Sequence, residues 1–148
     1  MENLNKPQLM KGGLAADERG SVSFVNDFDF KDVKRFYIIK NISIDFKRGF
    51  HGHMKEEKYA FVSKGKALIL AVALDDPENP DKNNKVHQFI LDRNEPSVLH
   101  IPAGYANGTR ALESDTEIIF FSTLSLEDSK NDDFPFPPEY WGEEIWNI

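Results

Sequence analysis

Two of the chain's four histidines stand two positions apart in RGFHGH, residues 48–53, directly behind an Arg-Gly pair. In an extended strand, residues i and i+2 face the same side. His51 and His53 therefore point together, and Lys55 and Glu57 join them if the strand continues. Three roles suit such a pair. Imidazole nitrogens ligate first-row metals. Neutral imidazole is matched to proton transfer near pH 7. The third role is plain: two polar side chains on a solvated strand face.

The elements that must hold these residues read as strands. SVSFV (21–25) alternates, KRFYIIK (34–40) is aromatic and β-branched, and KYAFVSKGKALILAVAL (58–74) forms two strands around a Lys64-Gly65-Lys66 turn. KVHQFIL (85–91), SVLHI (97–101) and TEIIFFST (116–123) complete the set, while IPAGYANGT (101–109), with Gly104 and Gly108, reads as a turn. DDPENPDKNNK (75–85) is a loop that Asp75 and Asp76 open as solvated acids. No long stretch keeps a helical apolar period, apart from one turn within 124–134 capped by Ser125. The tail FPFPPEYWGEEIWNI (134–148) packs extended against the body, with Trp141 and Trp146 closing a core or an interface. Many short strands without crossover helices predict an all-β, antiparallel sandwich or jelly roll. No linker or repeat divides it, so residues 1–148 are expected to form one domain.

Composition narrows the function. The chain has 148 residues and twelve phenylalanines, enough for one core, and no cysteine, which rules out disulfides, thiolate metal sites and a cysteine nucleophile. That suits a reducing cytoplasm. The N-terminus shows no secretory signal, and no apolar run approaches the roughly 18 residues of a membrane span. A net charge of −7 disfavours nucleic acid as a partner. The strand edges and the aromatic tail favour a homodimer.

DERGSV (17–22), VKRFYII (33–39), RGFHGH (48–53), KYAFVSKG (58–65) and IPAGYANG (101–108) occur in the order seen in the RmlC-like cupins that rearrange nucleotide-linked 4-keto-6-deoxy sugars. The chain resembles both the dTDP-4-dehydrorhamnose 3,5-epimerases and the dTDP-sugar 3,4-ketoisomerases. The first resemblance implies His51 as base, Lys58 as the holder of an enolate oxygen, and Arg19 and Arg48 as substrate contacts. The second implies the pair His51 and His53 together with Tyr37. Asn107 and Tyr105 in the IPAGYANG turn are expected as further substrate contacts. The resemblance also implies a cofactor-free isomerase, a dTDP-linked substrate, and an Arg19 that reaches a partner's pocket. Asp132, Asp133 and Glu139 are the candidates for the acid that orients the base.

Three features depart from the pattern, one being KEEKY (55–59) where the ketoisomerases usually carry a glutamine shortly after His-x-His. Phe120 stands where the epimerases carry a catalytic tyrosine, so Tyr37, Tyr59, Tyr105 or His53 must supply that proton. Asn107 stands where a histidine is usual, which weakens the cupin metal alternative. Lys58 has an ordinary alternative as a solvated lysine, and His87 and His100 read as satisfied structural histidines. Arg110 is either a phosphate contact or a surface residue. The epimerase reading leads, with the ketoisomerase, a metal-dependent cupin and a non-catalytic sugar-binding module behind it.

Overall fold

The computed structural model describes residues 6–148. Its main strands form two five-stranded antiparallel sheets that face one another. The first has β1 (Gln8–Lys11), β9 (Ser97–Ile101), β6 (Lys58–Lys64), β11 (Glu117–Ser122) and β4 (Arg35–Lys40), in that order. The second has β12 (Phe134–Pro135), β5 (Arg48–His53), β10 (Tyr105–Ala111), β7 (Lys66–Ala73) and β8 (Val86–Asp92). A separate hairpin, β2 (Gly13–Asp17) and β3 (Gly20–Phe24), stands outside both. One short helix, α1 (Leu126–Lys130), begins at Ser125, whose hydroxyl accepts the Asp128 N–H. Among the described residues no helix is long and apolar enough to cross a membrane.

Strand parity divides the side chains. Ala67, Ile69 and Ala71 of β7 point between the sheets, where they meet Leu91, Leu99, Ile101, Ile118 and Phe120. Leu68, Leu70 and Val72 point the other way, and β7 is therefore apolar on both faces. The C-terminal tail covers that second face. Trp141 and Trp146 pack there against Phe50 and Ala106, and their indole N–H groups donate to the carbonyls of Asp81 and Pro138 at 3.1 and 2.8 Å. The tail is thus a third layer, extended at its start and then broken by a turn over residues 138–141 and a 3-10 turn at Glu144–Trp146.

The strands expected from periodicity are present within a residue or two. One reading needs correction. IPAGYANGT is a turn only as far as Gly104, and residues 105–111 form the central strand β10, paired with β5 and β7. Gly108 sits in this strand because a Cβ there would stand 2.8 Å from the Trp146 ring. Its missing side chain makes room for the tail and does not mark a turn.

Candidate active site

At one end the space between the sheets is filled with apolar side chains. At the other it opens as a cleft of about 250 Å³, lined by residues of β4, β5, β6, β10 and the α1 segment. His51 and His53 project into it from β5, Asn107 and Thr109 from β10, Lys58 from β6, and Arg35 and Tyr37 from β4. Register explains the gathering. Asn107 lies opposite His51, and Tyr37 lies opposite Phe120. The histidines and Asn107 form one wall; Tyr37, Phe120 and Lys58 belong to the facing sheet.

The segment after α1 braces both imidazoles. His51 Nδ1 donates to Asp133 Oδ1 at 2.8 Å, and His53 Nδ1 donates to the Asp132 carbonyl at 2.7 Å. A carboxylate and a carbonyl only accept, so each neutral ring carries its proton on Nδ1 and presents an Nε2 lone pair. His53 Nε2 is buried and has no hydrogen-bond partner among the described residues. The Asp132 carboxylate, itself buried, accepts the backbone N–H groups of Met54, Lys55 and Glu56, each at 2.9 Å. It thereby fixes the turn that follows β5.

That turn corrects the expected parity. The strand stops at His53, so Lys55 and Glu57 do not join the histidines. Glu57 instead pairs with His100 Nε2 at 2.8 Å, on a ring stacked against Tyr59 on the outer side of the first sheet. Of the two adjacent glutamates it is Glu56, which sequence reasoning did not single out, that is buried.

Lys58 is 7% exposed and, among the described residues, has no carboxylate within ion-pairing distance. Its ammonium faces the rings of Tyr37 and Phe120 at 5.7 and 5.6 Å, and those rings stack at 5.4 Å. A buried cation without a counterion favours a ligand oxygen that develops negative charge.

Other expected residues fall apart from this group. Arg48 lines the cleft, with Nε donating to Asn41 Oδ1 at 3.0 Å. Tyr105 does not line it; its side chain is buried in the apolar end, near His87. That expectation is corrected, because Tyr105 sits one pleat deeper than Asn107 on the same strand face. Arg19 lies on the exposed β2–β3 hairpin, paired with Asp17 at 2.6 Å, and does not enter the cleft of its own chain. Arg110 donates to the carbonyls of Ile44 and Trp146, a structural role. Glu139 lies in the tail and does not line the cleft. Sequence reasoning missed Arg35, Thr109, Ser129 and Lys130 in the lining. Among the described residues no group of three or more His, Cys, Asp or Glu is placed to hold a metal.

Burial, then the Lys58 ammonium, push His53 below its ordinary value of 6.5. The folded chain therefore resists protonation that the unfolded chain accepts. The resulting stability is complete above about pH 6.5 and is lost as pH falls from there through the folded-state value. His87 is lowered in the same direction, chiefly by burial. Urea-derived unfolding free energies are expected to fall between about pH 7 and pH 5, by up to ~1.4 kcal/mol per pH unit for His53 and by less for the more solvent-screened His87. His53→Asn should flatten part of this slope, and an unchanged slope would contradict the assignment.

Against known proteins, residues 5–133 match the model of the dTDP-4-dehydrorhamnose 3,5-epimerase family. The spore coat polysaccharide biosynthesis protein SpsL of Bacillus subtilis (strain 168) is 30% identical over 105 residues, which span 68% of this chain and 66% of that protein. The match thus covers slightly under two thirds of the relative's length. The fold is shared with the dTDP-4-dehydrorhamnose 3,5-epimerase of Bacillus anthracis str. Ames, solved with TDP and PPi bound (TM-score 0.76, 17% identity, 100% of this chain and 86% of that one). It is shared also with QdtA, a sugar 3,4-ketoisomerase of Thermoanaerobacterium thermosaccharolyticum in complex with TDP (TM-score 0.69, 19% identity, 94% of each chain). With the matched model spanning most of its length and these two folds beside it, the chain belongs to the dTDP-4-dehydrorhamnose 3,5-epimerase family.

Proposed function

We propose that the chain is a cofactor-independent epimerase of a nucleotide-linked 4-keto-6-deoxy sugar, with dTDP as the nucleotide, acting in polysaccharide biosynthesis in the cytoplasm. The observation that carries this reading is the buried Lys58, without an ion-pair partner among the described residues, which shares one wall with Tyr37 and faces the wall that carries His51 and its partner Asp133. A C4 ketone acidifies the hydrogens on C3 and C5. His51 Nε2 takes one of them, the C–H electrons form a C–C double bond, and the carbonyl electrons move to the C4 oxygen. Lys58 stabilises that enolate more than the ketone and so lowers the barrier. Epimerisation then needs a proton delivered to the opposite ring face. Phe120 cannot supply it, but Tyr37 is its cross-strand partner, stacked on it and facing the histidine wall. The bound TDP of the two solved relatives supports the choice of nucleotide.

One observation favours a second reading. His53, on the same wall as His51, has an Nε2 without a hydrogen-bond partner among the described residues. Two carriers on one face suit the return of a proton to C4 through an enediol, which is 3,4-ketoisomerisation.

The test is proton NMR of the protein with dTDP-4-keto-6-deoxyglucose in D2O and chelator. Deuterium at C3 or C5 with the ketone still at C4 is the expected result. A ketone at C3 with label at C4 would establish the second reading. The absence of any exchange, or full exchange in His51→Asn, would overturn both.

The protein is further proposed to work as a homodimer. Phe36 and Ile38 on the outer face of the first sheet are 63% and 52% exposed, and Val22 on the β2–β3 hairpin is 64% exposed. A second copy would cover this apolar surface, and the hairpin would carry Arg19 to the partner's cleft. Light scattering should give twice the chain mass, reduced to one in Phe36→Glu/Ile38→Glu; a monomeric wild type would contradict the proposal.

A further inference from the structure

Glu56 has no part in the mechanism above, yet its side chain has no exposed surface. An enclosed carboxylate is costly unless charges and donors surround it, and four elements supply them here. The hydroxyl of Ser122 on β11 donates to it, as does that of Ser129 on α1 at 3.1 Å. Arg35 on β4 approaches it with Nη2 at 3.5 Å, and His53 on β5 with Nδ1 at 3.2 Å. Both walls of the cleft and the helix at its rim therefore converge on one carboxylate.

The Arg35 and His53 contacts lead to the chemistry. Arg35 is steadied by the Leu124 carbonyl at 3.2 Å, and its guanidinium lies 5.1 Å from the centre of the Tyr37 ring. His53 Nδ1 faces two acceptors, the Asp132 carbonyl and Glu56 Oε1. Neither donates while Glu56 is ionised, so the ring proton is held on Nδ1.

We infer that Glu56 is a positioning residue, an ionised carboxylate that fixes His53 with Nε2 open to the substrate and, through Arg35, seats Tyr37 on the facing wall. This inference deepens the proposed function and rests on it for the activity readout alone. The charged groups around His53 are Lys58 from β6, Asp132 from the segment after α1, and Glu56 from the turn, with Arg35 behind Glu56, His51 on the same strand and its partner Asp133 beside Asp132. Glu56 is thus one of the negative groups that offset Lys58 and favour the imidazolium.

The test is a 15N NMR titration of the histidines in the substrate-free full chain, wild type and Glu56→Gln, with kinetics alongside. The wild-type spectrum is expected to show neutral His53 protonated on Nδ1, a readout that needs no variant to fold and no correct substrate. Glu56→Gln should move the His53 titration to lower pH. Through the seating of Tyr37 it should also reduce kcat roughly 10- to 100-fold, with a much smaller change in KM. A wild-type His53 protonated on Nε2, or a variant whose His53 titration and kcat both match wild type, would overturn the inference.

Discussion

An ammonium group held between two β-sheets, with no carboxylate among the described residues to neutralise it, is the constraint around which this protein is arranged. Lys58 opens β6 from the interior side of the first sheet, and its charge meets two aromatic faces. Such a charge is costly in the resting fold and most favourable when an oxygen beside it turns negative. The nearby acids are committed elsewhere. Asp133 faces His51, Asp132 closes the turn after β5, and Glu56 is enclosed by Ser122, Ser129, Arg35 and His53. The electrostatic demand of Lys58 is left for the ligand to meet.

The fold supplies opposed walls, which the chemistry requires. A strand pair places its side chains only a few ångströms apart on one face, whereas two packed sheets lie ~10 Å apart, room for a sugar ring where no large side chain fills the gap. The apolar end of the sandwich is filled by Ile69, Leu99, Ile118 and Phe120, and this packing sets the depth of the cleft. Behind the histidine wall, Trp146 packs against Gly49 and Gly108, on the strands that carry His51 and Asn107. The tail thereby supports that wall from outside, although it contributes none of the cleft lining.

Much of this was legible in the sequence because strand patterns are local. The alternation in residues 34–40 and 116–123 and the double-sided apolar run of 66–74 define strands with little help from context. His51 and His53 share a face by parity alone, and Phe120 is an interior residue by the same rule. What was hidden depends on contacts distant in sequence. Gly108 reads as a turn residue until the Trp146 ring is seen where its side chain would be. The Asp132–Asp133 pair divides its work between two histidines, one by a side chain and one by a backbone carbonyl. Glu56 escaped because the strand was extended to residue 57. Three N–H groups gathered by Asp132 stop it at His53, turn Glu57 outward and bury Glu56. No local pattern in MKEEK announces that exchange.

The central claim is that Lys58 stabilises an enolate which His51 generates. It is tested most directly by measuring solvent-deuterium exchange at the carbons next to the ketone in Lys58→Met, together with the Kd for dTDP. The account predicts exchange slowed by roughly 10²- to 10³-fold with dTDP affinity little changed. Exchange at the wild-type rate would contradict it.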